Sequence, residues 1–195
     1  MTKKKLEQIG VATLPALFEK IEKVLAREGL KIKIIVLGGL AIIAQGFRDR
    51  ATLDIDIAPS SDAQVFEAVC NQLAIPVDIV TLATTVDFKS VVTHNIFTGK
   101  YLTMDAVTAP DLIKLKLERF YKQDPDDIYA ILAKTKMPYE DFKALVLEMF
   151  PDFIGDRQKL ILSAEIVVER IFPEQVGDFK MAPKSSDSFN KGQTQ

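Results

Sequence analysis

The spacing of apolar residues changes along the first eighty positions between patterns typical of strands and of helices. Apolar or alternating segments predict strands at 34–37, 52–58 and 75–82. Apolar residues recurring every three or four positions predict helices at 6–28 and 63–73, and a short helix at 40–45. Strands and helices alternating in this way predict a mixed α/β core with helices packed on a small sheet.

The second half of the chain has a different pattern, which is mostly helical. Apolar stripes predict helices at 112–121, 128–134, 138–150 and 156–172. Residues 86–101 suggest two short strands around 91–92 and 95–97, with a turn at 98–100. We therefore divide the chain into an α/β core (1–105), a helical part packed on it (106–172) and a polar tail (173–195), which we expect to be disordered.

Composition sets limits on the class of protein. Hydrophobic residues make up 48% of the 195 positions, enough for a core, and the net charge of −2 gives no general attraction for nucleic acid. The single cysteine, Cys70, excludes an intramolecular disulfide and fits the apolar face of a helix, so we expect a cytoplasmic protein. No apolar run is long enough to cross a membrane, and no signal peptide is evident. The single histidine, His94, receives no role.

Candidate chemistry is concentrated between residues 36 and 58. Gly38 and Gly39 end the first apolar strand, where free backbone N–H groups could face phosphates. Asp54 and Asp56 alternate with Leu53, Ile55 and Ile57, which predicts two carboxylates on one strand face with Cα atoms roughly 6.5 Å apart. Carboxylate oxygens suit Mg²⁺, which completes its coordination with water and substrate phosphates.

These residues form a motif, G-G-x-A, a short helix, G, then R-x-T-x-D-I-D. It resembles the signature of the nucleotidyltransferase superfamily, above all the abortive-infection (AbiEii-like) toxin branch and its uncharacterised relatives. The matching positions are Gly38, Gly39, Ala41, Gly46, Arg50, Thr52, Asp54 and Asp56. The resemblance implies a nucleotidyltransferase-like fold, with the glycines and Thr52 binding nucleotide. Arg50 would either contact phosphates or brace the aspartate strand.

The resemblance extends to two later positions. Asp78, in the third strand, matches a third carboxylate, which would hold Mg²⁺ or Mn²⁺ with Asp54 and Asp56 and activate the acceptor hydroxyl. Its alternative interpretation is an acid exposed to water on an edge strand. Lys116 matches the lysine of a second family motif and would contact nucleotide phosphates; otherwise it is a snorkelling residue at the edge of an apolar stripe. Asp124 and Asp127 are explained by helix capping.

Two functional hypotheses follow. The first is a magnesium-dependent nucleotidyltransferase that transfers a nucleoside monophosphate from an NTP to a hydroxyl of RNA, protein or a small molecule. As the toxin of a toxin–antitoxin pair it would have tRNA as a candidate acceptor and an antitoxin as a protein partner. The second is a catalytically inactive nucleotide-binding or partner-binding module. Leu40 keeps it open, because the family often has Ser or Thr directly after the glycines.

Overall fold

A five-stranded mixed sheet forms the centre of the protein. The structure, a computed structural model, describes residues 8–81 and 84–179. The strands are β1 (Ile9–Gly10), β2 (Ile32–Val36), β3 (Ala51–Thr52), β4 (Ile55–Ile57), β5 (Val77–Ile79), β6 (Thr93–Thr98) and β7 (Leu102–Val107). The central sheet has the order β5-β4-β2-β7-β6, and β1 pairs with β3 in a separate ribbon. Strands β2 and β7 run parallel, as do β4 and β5, whereas β2–β4 and β6–β7 are antiparallel.

Helices surround this sheet and make up most of the C-terminal half. They are α1 (Leu14–Glu28), α2 (Gly38–Ala44), α3 (Ala63–Gln72), α4 (Ala109–Arg119), α5 (Asp124–Thr135), α6 (Tyr139–Met149) and α7 (Arg157–Ile171). The predicted helix 6–28 begins later than expected, because Ile9–Gly10 form β1, Val11–Thr13 form a 3-10 turn, and α1 starts at Leu14 with Pro15 in its first turn. Its predicted end is confirmed, since Glu28 is followed by Gly29, whose φ of 67° is left-handed. None of the described helices has the length and apolar character needed to cross a membrane. The predicted mixed α/β fold with a helical C-terminal part is confirmed.

The central strand β7 was not predicted from the sequence. Its residues do alternate, with Leu102, Met104 and Ala106 on one face and Thr103 and Asp105 on the other, but no strand was assigned to this short segment. Asp105 is nevertheless buried, since Lys33 Nζ lies 2.8 Å from its carboxylate and Asn95 Nδ2 donates to it at 2.9 Å. The predicted strand around 91–92 is wrong, because β6 begins only at Thr93. Strand β7 pairs with β2 on one side and β6 on the other, which agrees with the alternation of its residues.

The strand predicted over residues 52–58 is interrupted. Strand β3 ends at Thr52, a bend covers Leu53 and Asp54, and β4 begins at Ile55. Leu53 is 47% exposed and does not share the buried face of Ile55 and Ile57. The Thr52 hydroxyl donates to Asp54 Oδ1 at 2.8 Å, a local bond of the kind that favours turns over continuous strands. The two aspartates therefore do not follow one another on a single strand.

The start of the predicted tail is folded. Pro173–Gln175 forms a 3-10 turn, and the buried ring of Phe179 lies 6.3 Å from that of Tyr139. Phe179 thus adds to the helical core. The rest of the predicted tail, 180–195, lies outside the described residues, as do residues 6–7 of the predicted first helix.

Cys70 belongs to the core, as the helical pattern predicted. It is fully buried on α3, and burial raises the pKa of its thiol to about 12. We expect no reaction with an aromatic disulfide reagent at pH 8 in the native protein and complete reaction in denaturant, because the thiolate is the nucleophile. Rapid native labelling, followed by absorbance of the released thiolate, would contradict this placement of α3.

Candidate active site

Two of the predicted acids lie side by side on the last two strands at one edge of the sheet. Asp56 on β4 and Asp78 on β5 are Cα partners in the parallel pairing of these strands. Paired residues of neighbouring strands project to the same face, with the strands ~4.8 Å apart. Both side chains line a cavity of about 530 Å³. The register of β4 and β5 therefore brings two carboxylates to one open hollow.

Asp78 is exposed on an edge strand and also lines the cavity, and its metal and catalytic roles stay predictions. Strand β5 is an edge strand and Asp78 is exposed, as the alternative predicted. The same side chain lines the cavity beside Asp56, as the resemblance implied. Exposure and membership of the site are thus compatible, because the cavity opens to solvent.

Asp54 has a different position from the one expected. It lies in the bend before β4, is exposed, and is not among the residues that line the cavity. Its charge still acts on the site, since it raises the pKa of Asp56. Thr52, which was predicted to bind nucleotide, donates its hydroxyl to Asp54. The Thr52 hydroxyl is therefore already bound to the Asp54 carboxylate.

The glycine pair allows α2 to begin directly against Asp56. Gly38 has a φ of +52°, and a Cβ at this position would overlap with the Asp56 carboxylate. A Cβ on Gly39 would lie 2.7 Å from Thr52 Oγ1. The backbone N–H of Gly39 donates to the Asp56 carboxylate. This N–H group, which was expected to be free for phosphates, is thus used by the protein itself.

The electrostatic setting of Asp56 disfavours its charged form. Burial raises the pKa of this carboxyl most strongly, and the charges of Asp54 and Asp78 raise it further. The Arg119 guanidinium and the Gly39 N–H act in the opposite direction without cancelling the increase. Carboxylates held together in this way are destabilised until a cation joins them.

This shift predicts that Asp56→Asn stabilises the metal-free protein. Because the folded pKa lies above the ordinary value of 3.8, a charged Asp56 costs stability at neutral pH and a protonated one does not. We expect a higher Tm than the parent at pH 7, and a difference that disappears as the pH falls below 3.8. Thermal unfolding with a chelator present measures this. A lower Tm at pH 7 would contradict the electrostatic account.

Lys116 is buried in a network of ion pairs. It is 3% exposed, and its Nζ lies 3.0 Å from Asp124 Oδ1 and 2.7 Å from Asp127 Oδ2. The snorkelling interpretation is therefore wrong, because the ammonium group does not reach water. The capping explanation of both acids is also wrong, since α5 begins after Gln123 without a side-chain cap and both carboxylates are buried. Binding of phosphate by Lys116 stays a prediction.

Arg50 is part of the same network. Its Nε and Nη2 donate to the two oxygens of Asp127 at 3.0 and 2.9 Å, and Nη1 donates to the Ala51 carbonyl. Arg48 Nη1 adds a further contact with Asp127 at 3.1 Å. These contacts attach the segment before the bend to α5, which fits the bracing role of Arg50. Its contact with phosphates stays a prediction.

Sequence reasoning gave no site role to several residues of the cavity. Arg119 lines it, with a side chain that is 63% exposed and donates to both oxygens of Asp124 at 2.7 Å. The segment 153–156 and Lys159 also line the cavity, and no pattern in the sequence indicated them.

The described part of the chain has no ready-made metal site built from three protein ligands. Within 8–81 and 84–179, no group of three or more His, Cys, Asp or Glu side chains is arranged to hold a metal ion. Asp56 and Asp78 therefore face the cavity as a pair, with Asp54 beside it. Mg²⁺ commonly takes only one or two protein carboxylates and obtains its other oxygens from water and substrate. The pair is compatible with that mode of binding.

Comparison with known proteins agrees with this geometry. A family model described as nucleotidyltransferase of unknown function (DUF6036) matches residues 12–158. The match spans the glycine pair, the three acids and Lys116. Comparisons with curated proteins and with solved structures found no match. Because the model covers about three quarters of its length, the chain belongs to this family of nucleotidyltransferases of unknown function.

Proposed function

We propose that the protein is a divalent-metal-dependent enzyme that transfers a nucleoside monophosphate from an NTP to an acceptor hydroxyl. The observation that carries the proposal is the register of β4 and β5, by which Asp56 and Asp78 face one cavity. Membership of a nucleotidyltransferase family supports it. A volume of about 530 Å³ is within the range of small-molecule sites.

Asp56 and Asp78 would hold Mg²⁺ or Mn²⁺, with Asp54 close to the first of them. The raised pKa of Asp56 supports this assignment, because a cation would relieve the repulsion among the three acids. When bound, such an ion would neutralise charge on the attacked phosphoryl group and on the departing pyrophosphate. The protein contributes the acids and the glycine backbone that holds Asp56 in place.

The other side chains would orient the reactants. Asp78, which is exposed at the sheet edge, would accept the proton of the acceptor hydroxyl. Arg119 would face the phosphates near Asp56, where its charge already lowers the pKa of that acid. Thr52 orients Asp54 through its hydroxyl, and Arg50 attaches the same segment to Asp127 of α5.

The toxin branch is the finer proposal. The order of glycine pair, Arg50, Thr52, Asp54 and Asp56 supports the AbiEii-like relationship. The acceptor would then be RNA, with tRNA as the first candidate, and an antitoxin would be the protein partner. Because the net charge is −2, RNA would have to be held by a local group of cations.

Label transfer tests the proposed activity. The purified chain is incubated with Mg²⁺, total tRNA and each of the α-labelled NTPs in turn. We expect label in RNA, in protein or in a small acceptor with at least one nucleotide, and none when a chelator is present. Absence of transfer to every acceptor, together with absence of nucleotide binding, would refute the proposal.

A second candidate function is an inactive nucleotide-binding or partner-binding module. Leu40 is buried and offers no hydroxyl to a phosphate. Lys116, Arg50 and the Gly39 N–H, which were all predicted to contact nucleotide, are each bound to a protein carboxylate. Calorimetry separates the candidates. Tight nucleotide binding that Asp56→Asn leaves unchanged, with no turnover by the parent, would favour the inactive module.

A further inference from the structure

The linker between α6 and α7, with the first turn of α7, gives the cavity a wall of apolar side chains and one lysine, beside the capping carboxylate of Asp156. Phe153, Ile154 and Lys159 all line the cavity that contains Asp56 and Asp78. Ile154 is 81% exposed, which is unusual for a large apolar side chain at a concave site. Lys159 lies one residue beyond the part of the chain that the family model matches. Phe153 and Ile154 lie within the matched part of the chain.

The geometry of the linker is fixed by local contacts. A Cβ on Gly155 would lie 2.8 Å from Phe153 Cζ, so the ring packs directly against the Gly155 backbone. The Asp156 carboxylate accepts hydrogen bonds from the backbone N–H groups of Gln158 at 2.9 Å and Lys159 at 3.4 Å. These bonds cap α7 and place Lys159 in its first turn. The wall is thus built before any ligand arrives.

The cations of the cavity differ in their availability. Lys116 already has two carboxylate partners, and Arg119 has one, although its side chain is largely exposed. Lys159 is exposed and makes no ion pair with any described residue. A polyanion entering the cavity would therefore meet Lys159 without an ion-pair partner among the described residues, and Arg119 as a largely exposed side chain that is already paired with Asp124. Apolar side chains next to such cations match a ligand with a flat base and a phosphate chain.

We propose that the α6–α7 linker and the first turn of α7 form the nucleotide subsite of the enzyme, with Phe153 and Ile154 against the base and Lys159 on the triphosphate. The inference rests on the proposed function and names the residues by which this chain would bind its NTP. Lys116 then serves mainly to hold the buried network together, and the phosphates are met by Lys159 with Arg119.

Comparing the binding of an NTP with that of tripolyphosphate separates contacts to the base from contacts to the phosphates. Each NTP and inorganic tripolyphosphate, which has no base, are titrated with Mg²⁺ into the full chain by calorimetry. We expect Lys159→Ala to weaken both ligands about tenfold, because a charge-assisted contact is lost. We expect Ile154→Ser to weaken the preferred NTP about fivefold and to leave tripolyphosphate unchanged, because only apolar contact is lost.

Matched variants control for general effects. Leu162 is an exposed apolar residue on α7 outside the cavity, and Lys23 is an exposed lysine on α1. Leu162→Ser and Lys23→Ala should bind like the parent. Thermal unfolding of all four variants shows that each is folded before its affinity is compared.

The outcomes distinguish the inference from the function on which it rests. If Lys159→Ala and Ile154→Ser bind the NTP as tightly as the parent does, the subsite is overturned and the proposed function stays intact. If Ile154→Ser also binds tripolyphosphate more weakly, the contact assigned between Ile154 and the base is overturned. If the parent does not bind tripolyphosphate, the contact assigned between Lys159 and the phosphates is overturned. A parent that binds no NTP refutes the proposed function, and the subsite with it.

Discussion

Asp127→Ala is expected to lower the free energy of unfolding by about 3–5 kcal/mol, because removing one member of a buried ion-pair network leaves its partners uncompensated. Asp127 is fully buried and binds Lys116, Arg48 and Arg50 at once. After the substitution, the buried ammonium of Lys116 keeps only Asp124 as a partner. Urea denaturation followed by circular dichroism measures the loss.

The neighbouring acid is a matched control. Asp126 is on the same helix, its side chain is 59% exposed, and its single ion pair among residues 8–81 and 84–179 is with Arg48. Asp126→Ala should change the free energy of unfolding by less than about 1 kcal/mol, as is usual for an exposed pair. Lys116→Met should cost less than Asp127→Ala, because both acids then retain arginine partners. Equal effects of Asp126→Ala and Asp127→Ala would contradict the structural role of the network.

Asp56→Asn and Asp78→Asn are each expected to reduce the rate of nucleotide transfer by about 1,000-fold or more, since metal-bound charge stabilisation contributes several kcal/mol to such reactions. Asp49→Asn is the matched control, because this aspartate is exposed and does not line the cavity. Initial rates with the preferred NTP and saturating Mg²⁺ give the comparison.

The predicted increase in the Tm of Asp56→Asn helps to interpret a loss of nucleotide transfer in this variant. Because Asp56→Asn is expected to raise the Tm at neutral pH, a loss of transfer in that variant would not reflect unfolding. Transfer rates within tenfold of the parent in either variant would show that the acid in question is not part of the catalytic centre. A loss in Asp49→Asn would show that the effect is not specific to the cavity.

The paired acids were accessible to sequence reasoning because they lie on strongly apolar strands. Ile55 and Ile57 flank Asp56, and Val77 and Ile79 flank Asp78, so period-two alternation gives both acids the same orientation. The position of Asp54 was not accessible in this way. Its bend depends on a bond from Thr52 and on the packing of Gly39, which sequence periodicity does not report.

The buried network was beyond sequence reasoning for a different reason. Lys116 and Asp127 are on neighbouring helices, and Arg50 joins them from 77 positions away. Each residue alone has an ordinary local explanation, such as helix capping for Asp127. Only the packing of α5 against the segment before the bend brings them into contact, and long-range packing has no signal in a single sequence. The same holds for Lys159 in the cavity.

Binding of Mn²⁺ in the presence of NTP, followed by electron paramagnetic resonance of the free ion, tests the central claim most directly. We predict that the parent and Asp49→Asn remove Mn²⁺ from solution with equal affinity. Asp56→Asn and Asp78→Asn should each bind it at least tenfold more weakly, because each removes one of the two carboxylates at the cavity. Equal Mn²⁺ affinity in all four proteins would contradict the assignment of this pair of strands as the metal centre.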